Sequence, residues 1–202
     1  MLRRENDVSK IVKLLLAIAL IIIADKTSIA GEKLKSFSSY VDIKGAISMP
    51  EEFRASWAHL GSWVVTSQQA TGMGYGSTDH GTGIHNVYTQ PDSLRAYKKD
   101  RTWPDGSILI MEVRSLKWDD LPTGHVIFEG DPIRCFVMVK DTKGRFADNP
   151  AWGDGWGWAL FKQNAPNENL SKNYKDGCLG CHEVAKDTDG FFIHGYPPLR
   201  KE

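Results

Sequence analysis

Two hundred and two residues carry 25 Lys+Arg against 25 Asp+Glu, so the formal net charge is zero, and 41% of the side chains are hydrophobic. That balance excludes a partner held by a polybasic surface, whether nucleic acid or anionic lipid, while the apolar content suffices for one domain core. The three cysteines cannot all pair with one another, so at least one needs another explanation.

In chain order, Arg3, Arg4, Lys10 and Lys13 precede or flank an apolar run from Leu14 to Ala24, and Ser28-Ile29-Ala30 stands before Gly31. This pattern predicts an export leader over 1–30, cleaved after Ala30. The apolar run is about eleven residues, short of the roughly twenty that span a bilayer. The expected mature protein is periplasmic, without a membrane span, and its thiols meet an oxidising compartment. Residues 31–48 show no clear period and read as an N-terminal arm with a short helix at most, leaving 49–202 as the main domain.

Short runs rich in β-branched and aromatic residues then follow, separated by Gly, Pro and Asp: Ser62–Ser67, Ile84–Tyr88, Ser107–Arg114, His125–Glu129, Ile133–Lys140 and Gly155–Phe161. Spacing of this kind predicts an antiparallel sheet. A helix starts at Pro91, which suits a first-turn position, and runs through Leu94 and Tyr97 to Lys98-Lys99. Pro104-Asp105-Gly106 reads as a turn into the next strand. Tyr75–Gly83 is a Gly/Ser/Thr-rich loop whose GxG pieces lack the strand-turn-helix setting of a phosphate loop. Asn149–Gly157 reads as an aromatic loop. Beyond Pro166 the chain turns helical and polar, ending in the apolar Phe191-Phe192-Ile193.

The chemistry concentrates in CLGCH, residues 178–182. Two intervening residues put Cys178 and Cys181 one helical turn apart on one side, with the His182 imidazole beside them. Two thiols for the vinyl groups of a porphyrin and an imidazole for its iron are the parts of one covalently attached haem c. A zinc site wants four ligands and would have to recruit His194. A thioredoxin-like motif would open a helix after a strand in a βαβ unit. A bare disulfide leaves His182 without a purpose. Alternation places Leu109, Met111 and Val113 on one strand face, and Ile133, Cys135, Val137 and Val139 on one face of another, as apolar surface for a porphyrin. Trp152, Trp156 and Trp158 read as core or dimer packing. His59, His80 and His125 read as surface positions, and Glu112 alternates away from Met111.

The stretches NVYTQPDSLRAYKK, WPDGSILIMEV, GDPIRCFVMVKD, RFADNP, GWGWALF, CLGCH and FFIHGYPPLR, in that order, resemble the cytochrome P-460 and cytochrome c′-β family from about Met49 to Arg200. The resemblance implies an α+β fold with a five-stranded antiparallel sheet packed with helices, haem c against the sheet, a periplasmic location and commonly a dimer. In the hydroxylamine-oxidising members a lysine crosslinks to the porphyrin, and Met111 stands at the matching position; an arginine of their distal pocket is matched by His85. The c′-β relatives, which also lack the lysine, bind nitric oxide and carbon monoxide.

The expected function is therefore gas binding at a haem iron held by His182, with hydroxylamine oxidation or simple electron transfer to a redox partner protein as alternatives. Met111 is a candidate sixth ligand, which would give a His/Met centre. His85 is a candidate ligand or hydrogen-bond donor. Cys135 is expected to face inward and to reach the iron opposite His182, since some nitric oxide-binding relatives are similar in being His/Cys-ligated. Those relatives include heterodimers, so the partner subunit is expected to be a second copy or a related chain.

Overall fold

The computed structural model describes residues 37–65 and 82–200, and the unit from Tyr40 onward carries every element below. The export leader, the first part of the arm, His80 and most of the Tyr75–Gly83 loop lie outside the described residues. Six strands make one sheet: β1 (Ala58–Val65), β2 (Gly83–Thr89), β3 (Ile108–Leu121), β4 (Gly124–Lys140), β5 (Trp152–Gly153) and β6 (Trp156–Lys162). All pairs are antiparallel, in the order β1-β2-β3-β4-β6-β5. The expected α+β class stands, with six strands where five were expected.

The sixth strand comes from the aromatic loop. Asp154 and Gly155 both take positive φ, 53° and 80°, so this Asp-Gly pair forms a two-residue hairpin turn that sets Trp152 opposite Gly157 and Gly153 opposite Trp156. A second difference is that the two runs His125–Glu129 and Ile133–Lys140 form one strand, β4, through Gly130-Asp131-Pro132. The register shifts on both sides of Arg114, which stands opposite Pro132, and leaves Ile133, Asp131 and Gly130 of β4 unpaired against Ser115 alone on β3, so the bulge is on β4. A bulge tolerates a proline that has no N–H for the ladder. A Cβ at Gly130 would meet the Ser115 hydroxyl and the Lys117 side chain, both of which would have to shift.

Helices are short except one. The expected helix is Pro91–Asp100, and Arg101, in the left-handed region, ends it by donating its N–H to Tyr97 O. Tyr97 is buried and stacks on Trp103 at 4.4 Å. Within the described part of the arm there is no helix; Val41 bridges Ile47 around a turn in which Asp42 accepts from Lys44 N and Ala46 N. One turn of helix, α1 (Phe53–Ser56), follows it. The Pro91 helix is α2, and two short helices near the C-terminal end are α3 (Tyr174–Gly177) and α4 (Leu179–Glu183).

The register sorts side chains onto two faces. Leu109 pairs with Met138 and Met111 with Phe136, and those in turn with Trp158 and Leu160; because directly opposed residues share a face, this is one surface. On the other lie Ile110 with Val137, and Glu112 with Cys135 and Phe161. Ile110 and Val137 are fully buried, and each such burial contributes about 1.5–3 kcal/mol. That second face is partly covered by α1, whose Phe53 meets Tyr88 edge-on at 5.3 Å and whose Arg54 donates to Glu112.

The Pro104–Gly106 turn is pinned by charge. Burial alone would raise the Asp105 pKa, but hydrogen bonds from Arg145 and from the Thr142 N–H and hydroxyl hold it down at about 2. A depressed carboxyl stabilises the fold above its unfolded pKa, and that contribution is lost as pH falls through the folded value. Asp105→Asn is therefore expected to lower the melting temperature at pH 7 and to flatten its fall between about pH 4 and pH 2. Parallel acid melting curves for the two proteins would refute the assignment.

Candidate haem site

Asn169 prepares the approach to the motif by finishing the open edge of β6. Its Oδ1 accepts from Leu160 N and Ser171 N, and its Nδ2 donates to Trp158 O. Asn173 then caps α3, accepting from Lys175 N. Tyr174 N–H donates to Pro150 O, and its ring stacks on Trp158 at 12° and lies where a Cβ on Gly153 would be. Cys178 follows immediately, its N–H donating to Tyr174 O, and His182 N–H donates to Cys178 O. The motif is thus one helical turn clamped onto the end of the sheet.

Cys178 is half-buried and Cys181 exposed, and neither is cross-linked. Burial pushes both thiols up from their ordinary pKa. His182 is half-buried, its ring edge-on to Trp158 at 4.7 Å. Its Nδ1 lies 2.7 Å from Gly190 O. A carbonyl only accepts, so Nδ1 carries the proton and Nε2 keeps its lone pair free for a metal. Burial lowers the imidazole pKa despite that hydrogen bond, which favours this neutral form.

The surface facing the motif is the Leu109–Met138 face. Met111 packs against the same buried cluster as Cys178 and Leu179, a cluster that contains Val87, Leu109, Met138 and Trp158. Met111 and Phe136 are half-buried. His85 is buried on this face too, beside Trp63 at 5.4 Å and opposite Val113; it is not a strand-end surface histidine. The structure therefore brings Cys178, His182, Met111 and His85 to one side of the sheet.

Cys135 is a correction. It pairs with Glu112 and Phe161, on the face opposite Met111 and Trp158, so the sheet stands between its thiol and His182. Burial, reinforced by the Glu112 carboxylate, pushes that thiol up to about 12. Cys135→Ser is expected to leave the optical spectrum of the haem protein unchanged in both oxidation states. A shifted Soret band would restore the thiol as an iron ligand.

Glu112 does alternate away from Met111, into a network of Arg54, Arg114 and Glu129. Trp152, Trp156 and Trp158 are all buried, and the Trp152 indole donates to Gly45 O. His59 and His125 are exposed, as is His194. Among the described residues no three His, Cys, Asp or Glu side chains group as metal ligands, so His194 does not complete a zinc set. Phe136 and Met138 are site residues that strand parity could have supplied only with the β3–β4 register; Gly190 carries no sequence signal at all.

Paired thiols, an imidazole presenting Nε2 and an apolar sheet face fit a haem. No curated protein matches the chain. The family model for Cytochrome P460 matches residues 50–193, from the approach to α1 through the CLGCH turn to Ile193. This protein belongs to the cytochrome P460 family, whose membership implies a haem cofactor.

Proposed function

We propose that this protein is an exported monohaem c-type cytochrome that binds nitric oxide, and carbon monoxide, at an iron held by His182. A bound haem would supply a redox-active iron able to take up a diatomic gas. Cys178 and Cys181 would hold it, and Gly190 O, by accepting from Nδ1–H, would leave the His182 Nε2 lone pair for the iron. Met111 is the observation that carries the choice of ligand. At the position of the crosslinking lysine it puts an apolar thioether on the same packed face as Cys178, with no amine to bond to the porphyrin. Val87, Leu109 and Met138 extend that apolar surface, which suits a small neutral gas better than a charged or hydrated substrate.

Hydroxylamine oxidation is the second reading, favoured by His85, a buried titratable group on the same face. Addition of nitric oxide and of carbon monoxide to the reduced protein tests the choice. Shifted Soret bands without hydroxylamine-dependent reduction of an artificial acceptor support gas binding. Turnover with hydroxylamine overturns it, and a reduced spectrum indifferent to carbon monoxide supports electron transfer with Met111 as sixth ligand. The export reading rests on residues 1–30, and the mass of protein recovered from the periplasm reports it.

Assembly with a second copy is supported by the β3–β4 hairpin. Among the described residues, its two strands have no third strand beside them beyond Arg114 and before Arg134, and a lone hairpin is marginal in water. It nevertheless exposes Trp118 (68%), Phe128, Leu121 and Ile127. Replacing Trp118 and Ile127, which stand opposite each other on one face of the hairpin, with serine should convert a dimer to a monomer in sedimentation; an unchanged sedimentation coefficient would refute this interface.

A further inference from the structure

Outside the motif, the end of β4 holds an ion pair. Lys140, at the end of a strand paired on both sides, is largely buried, with 13% of its side chain exposed. Its ammonium lies over the Trp156 ring at 4.5 Å and reaches both oxygens of Asp189, at 2.7 and 2.8 Å. The Trp156 indole N–H donates to the same carboxylate at 3.2 Å. Two donor groups thus fix one acidic side chain through three hydrogen bonds. A charge-assisted, two-oxygen contact of this kind restrains position as well as contributing energy.

Asp189 is next to the residue that orients His182. It takes φ 58°, and Gly190 follows with φ 84°, two successive left-handed residues that reverse the chain after the turn Lys186–Thr188. Left-handed backbone at an aspartate is uncommon and persists where its surroundings hold it. The reversal is what swings Gly190 O back to the imidazole Nδ1 at 2.7 Å. Gly190 N–H donates to Ala185 O within the same loop; the loop is attached to the sheet by Phe191, buried edge-on to Trp156 at 5.0 Å, and on the other side of Gly190 by the Asp189 carboxylate, the polar one of the two attachments.

The geometry points to Lys140 and Asp189 as positioning residues for the axial imidazole: their ion pair, seated on Trp156, holds the Gly190 carbonyl against His182 Nδ1–H. This deepens the haem reading and rests on it. A carbonyl held firmly on Nδ1–H makes Nε2 a stronger donor, and a stronger donor favours the ferric state. Loosening the pair therefore weakens the iron–histidine bond and raises the reduction potential.

The test uses the haem-loaded protein with Lys140→Met and, separately, Asp189→Asn, reading the iron–histidine stretching band of the reduced form and the midpoint potential. Both variants should move the band to lower wavenumber and the potential upward. A through-space charge effect alone moves the two potentials in opposite directions, because one variant removes a positive charge and the other a negative one. Lys140→Arg, which keeps the pair, should stay near the wild type. Unmoved bands, or potentials that diverge in sign, overturn the assignment. Should Lys140→Met fail to take up haem, Trp156→Phe decides by the same criteria, with a smaller shift in the same direction expected and an unmoved band refuting. A wild-type protein without haem absorption overturns the haem reading and this inference together, whereas haem-loaded variants with wild-type bands overturn this inference alone.

Discussion

A chain with Cys178 and Cys181 both replaced by serine is expected to lose all covalently bound haem, so that its denatured mass equals that of the bare polypeptide. The two thiols are the only cysteines on the site face, since Cys135 pairs with Glu112 on the other. They sit a helical turn apart, and His182 N–H bonded to Cys178 O fixes the imidazole relative to the first of them. Either single serine variant keeps one thioether, and its pyridine haemochrome band should move to longer wavelength. The noncovalent remainder in the double variant depends on His182 and on apolar contact, and extraction with acidified organic solvent should remove it. Haem that stays with the double variant under denaturing conditions would disprove attachment through this motif.

Trp158→Ala is expected to cost about 3–5 kcal/mol, the range for truncating a buried aromatic. Trp158 is 4% exposed, stacks on Tyr174, meets His182 edge-on and donates its indole N–H to Gly153 O. It is therefore the contact that couples α3, the CLGCH turn and β6. For a domain of this size the loss corresponds to a melting temperature lower by roughly 10 °C. Trp118→Ala is the comparison: in the monomer this exposed side chain should cost no more than about 0.5 kcal/mol. Equal melting temperatures for the two variants under monomeric conditions would show that Trp158 does not tie the motif to the sheet. The same truncation removes one wall of the imidazole, so a broadened iron–histidine band should accompany it.

Much of this was local and legible in the chain. Pro91 opening a helix and Lys98-Lys99 closing it need only neighbouring residues, and the observed helix is Pro91–Asp100. The grouping of Cys178, Cys181 and His182 follows from helical periodicity, as does the alternation of Met111 with Glu112 from strand periodicity. The Asp154-Gly155 turn is also legible, since an Asp-Gly pair between aromatic runs is a hairpin signal. Gly130-Asp131-Pro132 looked like a break between strands. It is a continuous strand because β4 itself bulges there, its extra residues Ile133, Asp131 and Gly130 set against Ser115 alone on β3, which no inspection of residues 130–132 reveals.

The sequence by itself determined which residues alternate within each strand and that two thiols and an imidazole share one helical turn, because both follow from backbone periods of two and 3.6 residues. Only the tertiary structure decided which face of β4 meets that turn. Met111 stands opposite Phe136, not Cys135, and a shift of one residue in pairing exchanges the two faces of a strand; Cys135 thereby went to the far side of the sheet and Met138 to the near one. The contact between Lys140 and Asp189 was equally out of reach, since it joins residues 49 apart in the chain, and nothing in either neighbourhood fixes the distance between them.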